Sequence, residues 1–258
     1  MWGITPIDQM MCRIAFRKLR YEGPLTPPSL AGSIQYPGFA GGMNWGSVSV
    51  DEPHQVMIVN SLHMANHVQL HARATVTKDT VLGFGGGQQS GTPYAAYTSP
   101  FFSPIFVPCQ EPPYGEIAAI DLATRSVLWR RPLGSANEVG PLGMKVRVPL
   151  PMGIHFSGGT IVTKGGVLFM AGTVDRHIRA LDVRTGKVLW SDMLPNSAQA
   201  TPMSYLSPSG RQFVVIAVQA AQPLEIGHET QGQDPLVPTG GWLIAYALPA
   251  SAQGAVQK

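Results

Sequence analysis

Charge is scarce in this sequence: Asp, Glu, Lys and Arg make up 13% of 258 residues, and the net charge is +3. The densest basic stretch is Arg17-Lys18-Leu19-Arg20. Phosphate binding needs a basic face with several contacts, so this stretch reads as a solvated helix end and no nucleic-acid partner is expected. Long apolar runs are lacking too. The best one, Phe213 to Ala221, is broken by Gln219 and falls well short of the roughly 20 residues that span a bilayer, so this chain is expected to span nothing. The N-terminus lacks the charged-then-apolar order of a secretory signal. Cysteine is nearly absent. Cys12 and Cys109 permit one intramolecular disulfide, and spacing alone leaves their distance open; two buried free thiols are the plainer reading unless the protein is exported.

Glycine (29), proline (23) and 44% hydrophobic residues are what the chain has in quantity. That mixture suits many short strands joined by tight turns, with enough apolar side chain for a core, and makes disorder a poor reading. One short helix is expected at the start. Thr5-Pro6-Ile7-Asp8 offers a capping hydroxyl, proline at the first helical position and an early acidic residue, followed by Ile7, Met10, Met11 and Ile14 on one face.

A repeat organises the rest. "AIDLATRSVLW" (119 to 129) and "ALDVRTGKVLW" (180 to 190) match at Ala, Asp, Thr, Val-Leu and Trp, with Trp129 and Trp190 61 residues apart. Such a period means a repeated structural unit. Each copy reads as strand, polar turn, strand, with Gly186 supplying a left-handed turn position that Arg125 fills less well in the first copy. "GGTIVTKGGVLFMAGTVDRHIRALDV" (158 to 183) adds three strands before "KVLWSD", which makes a four-stranded antiparallel unit. "GSVSVDEPHQVMIVN" (46 to 60) supplies the two inner strands of an earlier unit, whose outer strands arrive at 116 to 130, so 61 to 115 is a long insertion. A third unit, "ATPMSYLSPSGRQFVVIAV" with "GWLIAYAL", has three strands. Four-stranded units ending in Trp describe β-propeller blades, each Trp docking on the next blade. The expected fold is all-β: an open arc of about three antiparallel blades, since closed propellers need about four to eight. Trp129 and Trp190 should be buried between blades at equivalent positions. The propeller portion is assigned to 1–248 and a C-terminal tail to 249–258.

The pattern AxDxxTGKxxW resembles the tryptophan-docking motif of the pyrroloquinoline quinone (PQQ) dehydrogenases. Four long stretches narrow the likeness: "MWGITPIDQMMCRIAFRKLRYEGPLTPPS" (1 to 29), "YPGFAGGMNWGSVSVD" (36 to 51), "GTPYAAYTSPFFSPIFVPC" (91 to 109) and "NSAQATPMSYLSPSGRQFVVIA" (196 to 217). Together they are similar to the C-terminal portion of the membrane-bound glucose/quinate/shikimate dehydrogenase group. The resemblance implies part of an eight-bladed quinoprotein propeller that oxidises an aldose sugar or polyol by hydride transfer to PQQ, with electrons passing to ubiquinone. It also implies the periplasmic face of the bacterial inner membrane for the whole protein, a setting in which a Cys12–Cys109 disulfide would persist. The family's catalytic aspartate, its calcium ligands and its membrane helices lie upstream of the portion represented here. None of Asp51, Asp121 and Asp182 matches the catalytic one, so this chain alone should be inactive.

Within the resemblance, Asn44 and Trp45 match the Asn-Trp pair that faces the cofactor channel at the start of an inner strand. PQQ is a flat quinone with three carboxylates and needs aromatic faces and hydrogen-bond donors. The bland reading beside this one has Trp45 filling the propeller centre and Asn44 capping its turn. Phe156 corresponds to a pocket aromatic of related enzymes, though core packing serves it equally, and His155 is similarly ambiguous. His63, His67 and His71 are spaced by four, but their surroundings read as strand and loop, so a helical metal site is disfavoured. "GFGGGQQSG" (83 to 91) lacks the Lys-Ser/Thr of a phosphate loop and reads as a mobile part of the insertion near the pocket mouth. No Ser/His/Asp grouping has a nucleophile context. The alternative function is a non-catalytic propeller scaffold of the outer-membrane assembly lipoprotein type.

Overall fold

The computed structural model describes residues 1–39, 41–137, 140–153, 158–219 and 240–248. It holds one α-helix, α1 (Pro6–Arg17), and the strands β1 (Ser33–Gln35), β2 (Val48–Asp51), β3 (Val56–Leu62), β4 (Asn66–Ala72), β5 (Tyr94–Pro100), β6 (Gly115–Asp121), β7 (Ser126–Pro132), β8 (Thr160–Val162), β9 (Val167–Met170), β10 (His177–Asp182), β11 (Val188–Met193), β12 (Met203–Leu206), β13 (Gln212–Val218) and β14 (Trp242–Ala247).

Three antiparallel blades follow the repeat. Blade 1 has the order β2-β3-β6-β7, blade 2 β8-β9-β10-β11, and blade 3 is three-stranded, β12-β13-β14. The alternation of side chains along each strand gives every sheet two apolar faces. Val56, Ile58, Ile117 and Ala119 of blade 1 pack on Leu168, Met170, Leu181 and Val183 of blade 2. The opposite face of blade 2, with Ala171 and Ile178, packs on Val214, Ile216 and Val218 of blade 3. Each fully buried Leu, Ile or Val contributes about 1.5–3 kcal/mol relative to exposure, so these two interblade cores carry most of the fold.

The insertion between β3 and β6 has a structure that local pattern did not reveal. Its strands β4 and β5 form a second sheet with β1 from before blade 1, in the order β1-β4-β5. The glycine-rich segment expected to be mobile is held along this sheet. Gly85 N–H donates to the Thr98 carbonyl, and Gly87 and Ala96 exchange two backbone bonds. Arg73 donates to the carbonyls of Gln88, Gln89 and Tyr94.

α1 begins as its sequence predicts, with Thr5 Oγ1 accepting from Asp8 N–H at 3.1 Å. Its buried face differs from expectation. Asp8 turns inward to accept from Ile4 N–H at 3.0 Å, and Cys12 is bonded to Cys109 across 97 residues. The reading of two free thiols is thereby overturned. Around the disulfide lie Ile34, Ala65 and Phe101, with Ala15, Phe16 and Leu19 packed against them. Ile7, Met10, Met11 and Ile14 are left exposed, because the covalent link fixes which side of the helix faces the sheet.

The two docking tryptophans differ. Trp129 is half-buried, donates from Nε1 to the Val183 carbonyl at 2.8 Å and lies over Gly186, where a Cβ would come within 2.7 Å of the indole. Gly186 has φ +67°, so both its left-handed backbone and its missing side chain are required. Trp190 is 39% exposed, against the expectation of burial. It meets Tyr246 of blade 3 edge-on, with ring centroids 5.0 Å apart, because Ala247 and Leu248 stand where blade 2 has Asp182 and Val183 and no Asp-Thr turn forms there among the described residues.

Candidate functional site at the inner ends of the blades

The stretch 42 to 48 leaves the sheet between two fixed points. Gly42 and Leu62 exchange backbone hydrogen bonds of 2.8 and 2.9 Å, and Val48 pairs with Val59. Residues 43–47 therefore bulge out opposite only Asn60 and Ser61. Two bonds close the bulge: Asn44 Oδ1 accepts from Trp45 N–H at 2.8 Å, and the Asn44 carbonyl accepts from Ser47 N–H at 2.9 Å. The side chain of Asn44 thus shapes its own turn, as one of the two readings expects. The Trp45 indole is not packed into the interblade cores of these three blades. It is 59% exposed and presents an aromatic surface at the inner edge of blade 1.

Behind the bulge the three blades converge. Ser49 Oγ lies 2.6 Å from the Thr160 carbonyl and 2.5 Å from Thr160 Oγ1. Asn60, buried behind the apolar run Val56–Val59, donates from Nδ2 to the Gly158 carbonyl at 2.5 Å. A Cβ on Gly159 would lie 2.6 Å from the Gly46 carbonyl oxygen and 2.4 Å from Thr201 Oγ1. Gly159 is therefore the point at which blades 1, 2 and 3 approach within side-chain distance, and this packing is what the "GG" at 158 and 159 provides.

At the same end of β3, on its other face, Ser61 Oγ sits 3.0 Å from His63 Nε2, and Glu116 Oε2 lies 3.2 Å from the same nitrogen. Both partners share one ring nitrogen, so the trio is a hydrogen-bonding cluster and lacks the relay order of a nucleophilic triad. Asn60 was overlooked by motif reasoning; the signal for it was an amide closing the apolar run "VMIV". Glu116 carried no local signal, because only the β3–β6 register places it opposite Ser61.

The other candidates separate. Phe156 and His155 lie outside the described residues. His67 and His71 sit on strand β4, not on a helix, and both rings approach Tyr97, at 5.1 and 6.5 Å. Burial, then the neighbouring His71, holds the His67 pKa below the ordinary imidazole value. No group of three metal ligands occurs among the described residues. Asp121 and Asp182 are turn formers: each accepts from a threonine three residues on, Thr124 N–H at 2.8 Å and Thr185 Oγ1 at 2.8 Å, and these bonds hold both carboxyls below the usual range. Asp51 is buried against His54 Nδ1 at 2.8 Å. What the inner end offers is an exposed aromatic face beside backbone and side-chain polar groups.

Comparison with known proteins identifies the family. The model of the PQQ family, described as "Glucose/ethanol/alcohol dehydrogenase, beta-propeller domain", matches residues 1–214. A probable quinate dehydrogenase (quinone) of Xanthomonas campestris pv. juglandis is 42% identical over 96% of this chain and 31% of its own length. The quinate/shikimate dehydrogenase (quinone) of Acinetobacter baylyi is 40% identical over 96% of this chain and 30% of its own. The quinoprotein glucose dehydrogenase of Escherichia coli K12 is 38% identical over 96% and 31%. This chain therefore spans about three tenths of the length of these relatives. Among solved structures, the quinohemoprotein alcohol dehydrogenase of Comamonas testosteroni superposes with a TM-score of 0.51 over 84% of this chain and 27% of that one, at 19% identity, a likeness of fold. No helix among the described residues is long and apolar enough to cross a membrane.

Proposed function

The chain belongs to the PQQ glucose/ethanol/alcohol dehydrogenase β-propeller family, and from that premise we propose that it forms part of the cofactor wall of a quinoprotein dehydrogenase acting on a sugar or polyol, with quinate or shikimate the leading substrates. The observation that carries the proposal is the exposed Trp45 indole on the Asn44-capped bulge. A large aromatic left in water at the convergence of three blades costs burial unless a planar partner covers it. The residues fit the group on chemical grounds: Trp45 would supply a stacking face, and Asn44 a polar contact at its rim. Phe156 is proposed as a further cofactor contact on family likeness alone. PQQ, when bound, supplies the two-electron acceptor.

This chain's own residues bind and orient. The bulge is closed by one bond to the Asn44 side chain and one to its carbonyl, Gly159 lets the blades close behind it, and Asn60 ties blade 1 to blade 2 through the Gly158 carbonyl. No base is assigned here. The catalytic aspartate, the calcium ligands and the route to ubiquinone on the periplasmic side of the inner membrane are proposed for other parts of a whole enzyme. A scaffold role accounts for the blades but gives no reason for an exposed indole on a capped inner bulge.

The test is a chimera in which residues 1–258 replace the matching 31% of the Xanthomonas quinate dehydrogenase. The expected result is dye-linked quinate oxidation that requires added PQQ and calcium and is absent from the 258-residue chain alone. A chimera with native circular dichroism that neither binds PQQ nor oxidises quinate would contradict the proposal.

A further inference from the structure

The chain between β1, in the insertion sheet, and β2, in blade 1, is tied twice to the chain around the end of β3. Gly38 N–H donates to the Met64 carbonyl at 2.6 Å, and Gly42 makes its two bonds with Leu62. Between these ties Gly41 N–H donates to the Gly38 carbonyl at 2.7 Å, closing a tight turn that carries Phe39. Just past the second tie stands the bulge of Asn44 and Trp45. Leu62 and Met64 are separated by at most about 7 Å of chain, so the Phe39 turn and the bulge are consecutive loops over one edge.

The turn meets the glycine-rich segment through Phe39. A Cβ on Gly85 would lie 2.7 Å from Phe39 Cε1 and Cζ, so the ring edge occupies the space where a side chain would stand. Gly85 is itself held, donating to the Thr98 carbonyl at 3.0 Å, while the Leu82 and Gly87 carbonyls accept from Thr98 and Ala96 at 3.0 Å each. The segment is thus an added edge of the sheet β1-β4-β5, and its missing side chains make a flat seat. The other foot of the turn fits as closely: Asn66 Oδ1, from a residue 3% exposed, fills the space a side chain on Gly38 would need. Among the described residues Phe39 belongs to none of the three hydrophobic cores and is 54% exposed. Its seat buries little, so the contact locates the turn more than it stabilises the fold.

We infer that Phe39, seated on Gly85, is a positioning residue for the Asn44–Trp45 bulge, and that the insertion sheet is the outer support of that wall. The support runs from β5 through Thr98 and Gly85 to Phe39, and from the turn through Gly42 into residues 43–47. Without the seat the turn pivots on its ties at Gly38 and Gly42, and the bulge that starts at Met43 loosens with it. The coupling stands on these contacts alone; its consequence for a cofactor rests on the reading of Trp45 as a cofactor wall.

Two measurements test the two parts. The first is hydrogen exchange by mass spectrometry on the 258-residue chain, reading the bulge amides of Trp45 and Ser47, both of which donate to Asn44. Phe39→Ala should speed their exchange about tenfold while the amides of β3 keep their protection. Gly85→Val, which pushes the ring off its seat, should do the same, Phe39→Tyr should match wild type, and the double variant Phe39→Ala/Gly85→Val should be no faster than either single one. Bulge amides that exchange freely in wild type, that ignore both substitutions, or that respond additively would overturn the coupling. The second is a PQQ binding titration of the chimeric quinate dehydrogenase. Phe39→Ala should weaken binding about tenfold, because a loosened bulge has to be ordered by the ligand, and Phe39→Tyr should not. Affinity lost in Trp45→Ala but kept in Phe39→Ala would overturn the positioning role and leave the cofactor reading standing. Affinity kept in both would overturn the two together.

Discussion

The junction between blades 1 and 2 and the junction between blades 2 and 3 are built from the same repeat, yet among the described residues the two are held differently. At the first, Trp129 donates to the Val183 carbonyl and lies on Gly186, and Arg131 reaches the Gly186 carbonyl. Ser135 donates from its backbone at 2.8 Å and from Oγ at 3.1 Å to Asp175 Oδ2, a carboxylate wholly buried in blade 2. At the second, Trp190 lies edge-on to Tyr246, whose hydroxyl donates to Asp192 Oδ2 at 2.9 Å. The difference teaches that the tryptophan does not make the latch. The receiving turn does: Asp182 gathers the N–H groups of Arg184 and Thr185, which sets Gly186 in the left-handed region and leaves room for an indole.

The largest expected effect comes from filling that room. Gly186→Arg, which copies the first turn's Arg125 into the second, combines a side chain at φ +67° with a clash against Trp129 and should destabilise by about 3 kcal/mol or more. The reverse change, Arg125→Gly, relieves a non-glycine residue at φ +59° and should leave stability unchanged or raise it slightly. Equal losses from both, by urea unfolding, would break the account of the turn.

Next come the tryptophans themselves. Trp129→Ala should cost about 2–4 kcal/mol and Trp190→Ala about half as much, because truncation costs scale with the contacts removed. Equal costs would mean that the two junctions are latched alike.

Asp175 sharpens the comparison through pH. Burial opposes its ionisation, but Arg179 Nη2 at 2.5 Å, Thr173 Oγ1 at 2.5 Å and Ser135 together hold its pKa below the ordinary carboxylate value. A group depressed in the folded state stabilises above its unfolded pKa, and that stability is lost as pH falls through the folded value. Thermal melts should therefore show an acid limb below the ordinary carboxylate pKa that Asp175→Asn flattens, with a loss at neutral pH of about 2–3 kcal/mol from its charge-assisted hydrogen bonds. The smallest effect belongs to the second junction. Tyr246→Phe removes one partly exposed hydrogen bond and should cost about 0.5–1 kcal/mol. It should also abolish the alkaline titration of a phenol that burial, then Asp192, pushes up to about 12.

The sequence revealed whatever local pattern controls. The turns of 119–129 and 180–190 and the four-strand units were legible because alternation, glycine and Asp-Thr spacing are local signals. Trp190 was misjudged because burial of the equivalent Trp129 depends on the Asp182 turn, and blade 3 has Ala247 in place of that aspartate. The apolar stripe of α1 was misassigned because a disulfide to a residue 97 positions away decides which face turns inward. Within the site, Asn44 and Trp45 were legible as a pair, but the convergence at Gly159 and the Ser61–His63–Glu116 cluster arise from register between distant strands.

The account's central claim is that the Asn44–Trp45 bulge is a cofactor wall, and the chimeric enzyme tests it most directly through PQQ titration of Trp45→Ala beside wild type, with melting of both lacking cofactor. Trp45 is mostly exposed, so its removal should leave the cofactor-free melting temperature nearly unchanged while PQQ affinity falls about tenfold, the loss of one stacking contact. A lowered melting temperature with unchanged PQQ affinity would contradict the claim and assign the indole to packing alone.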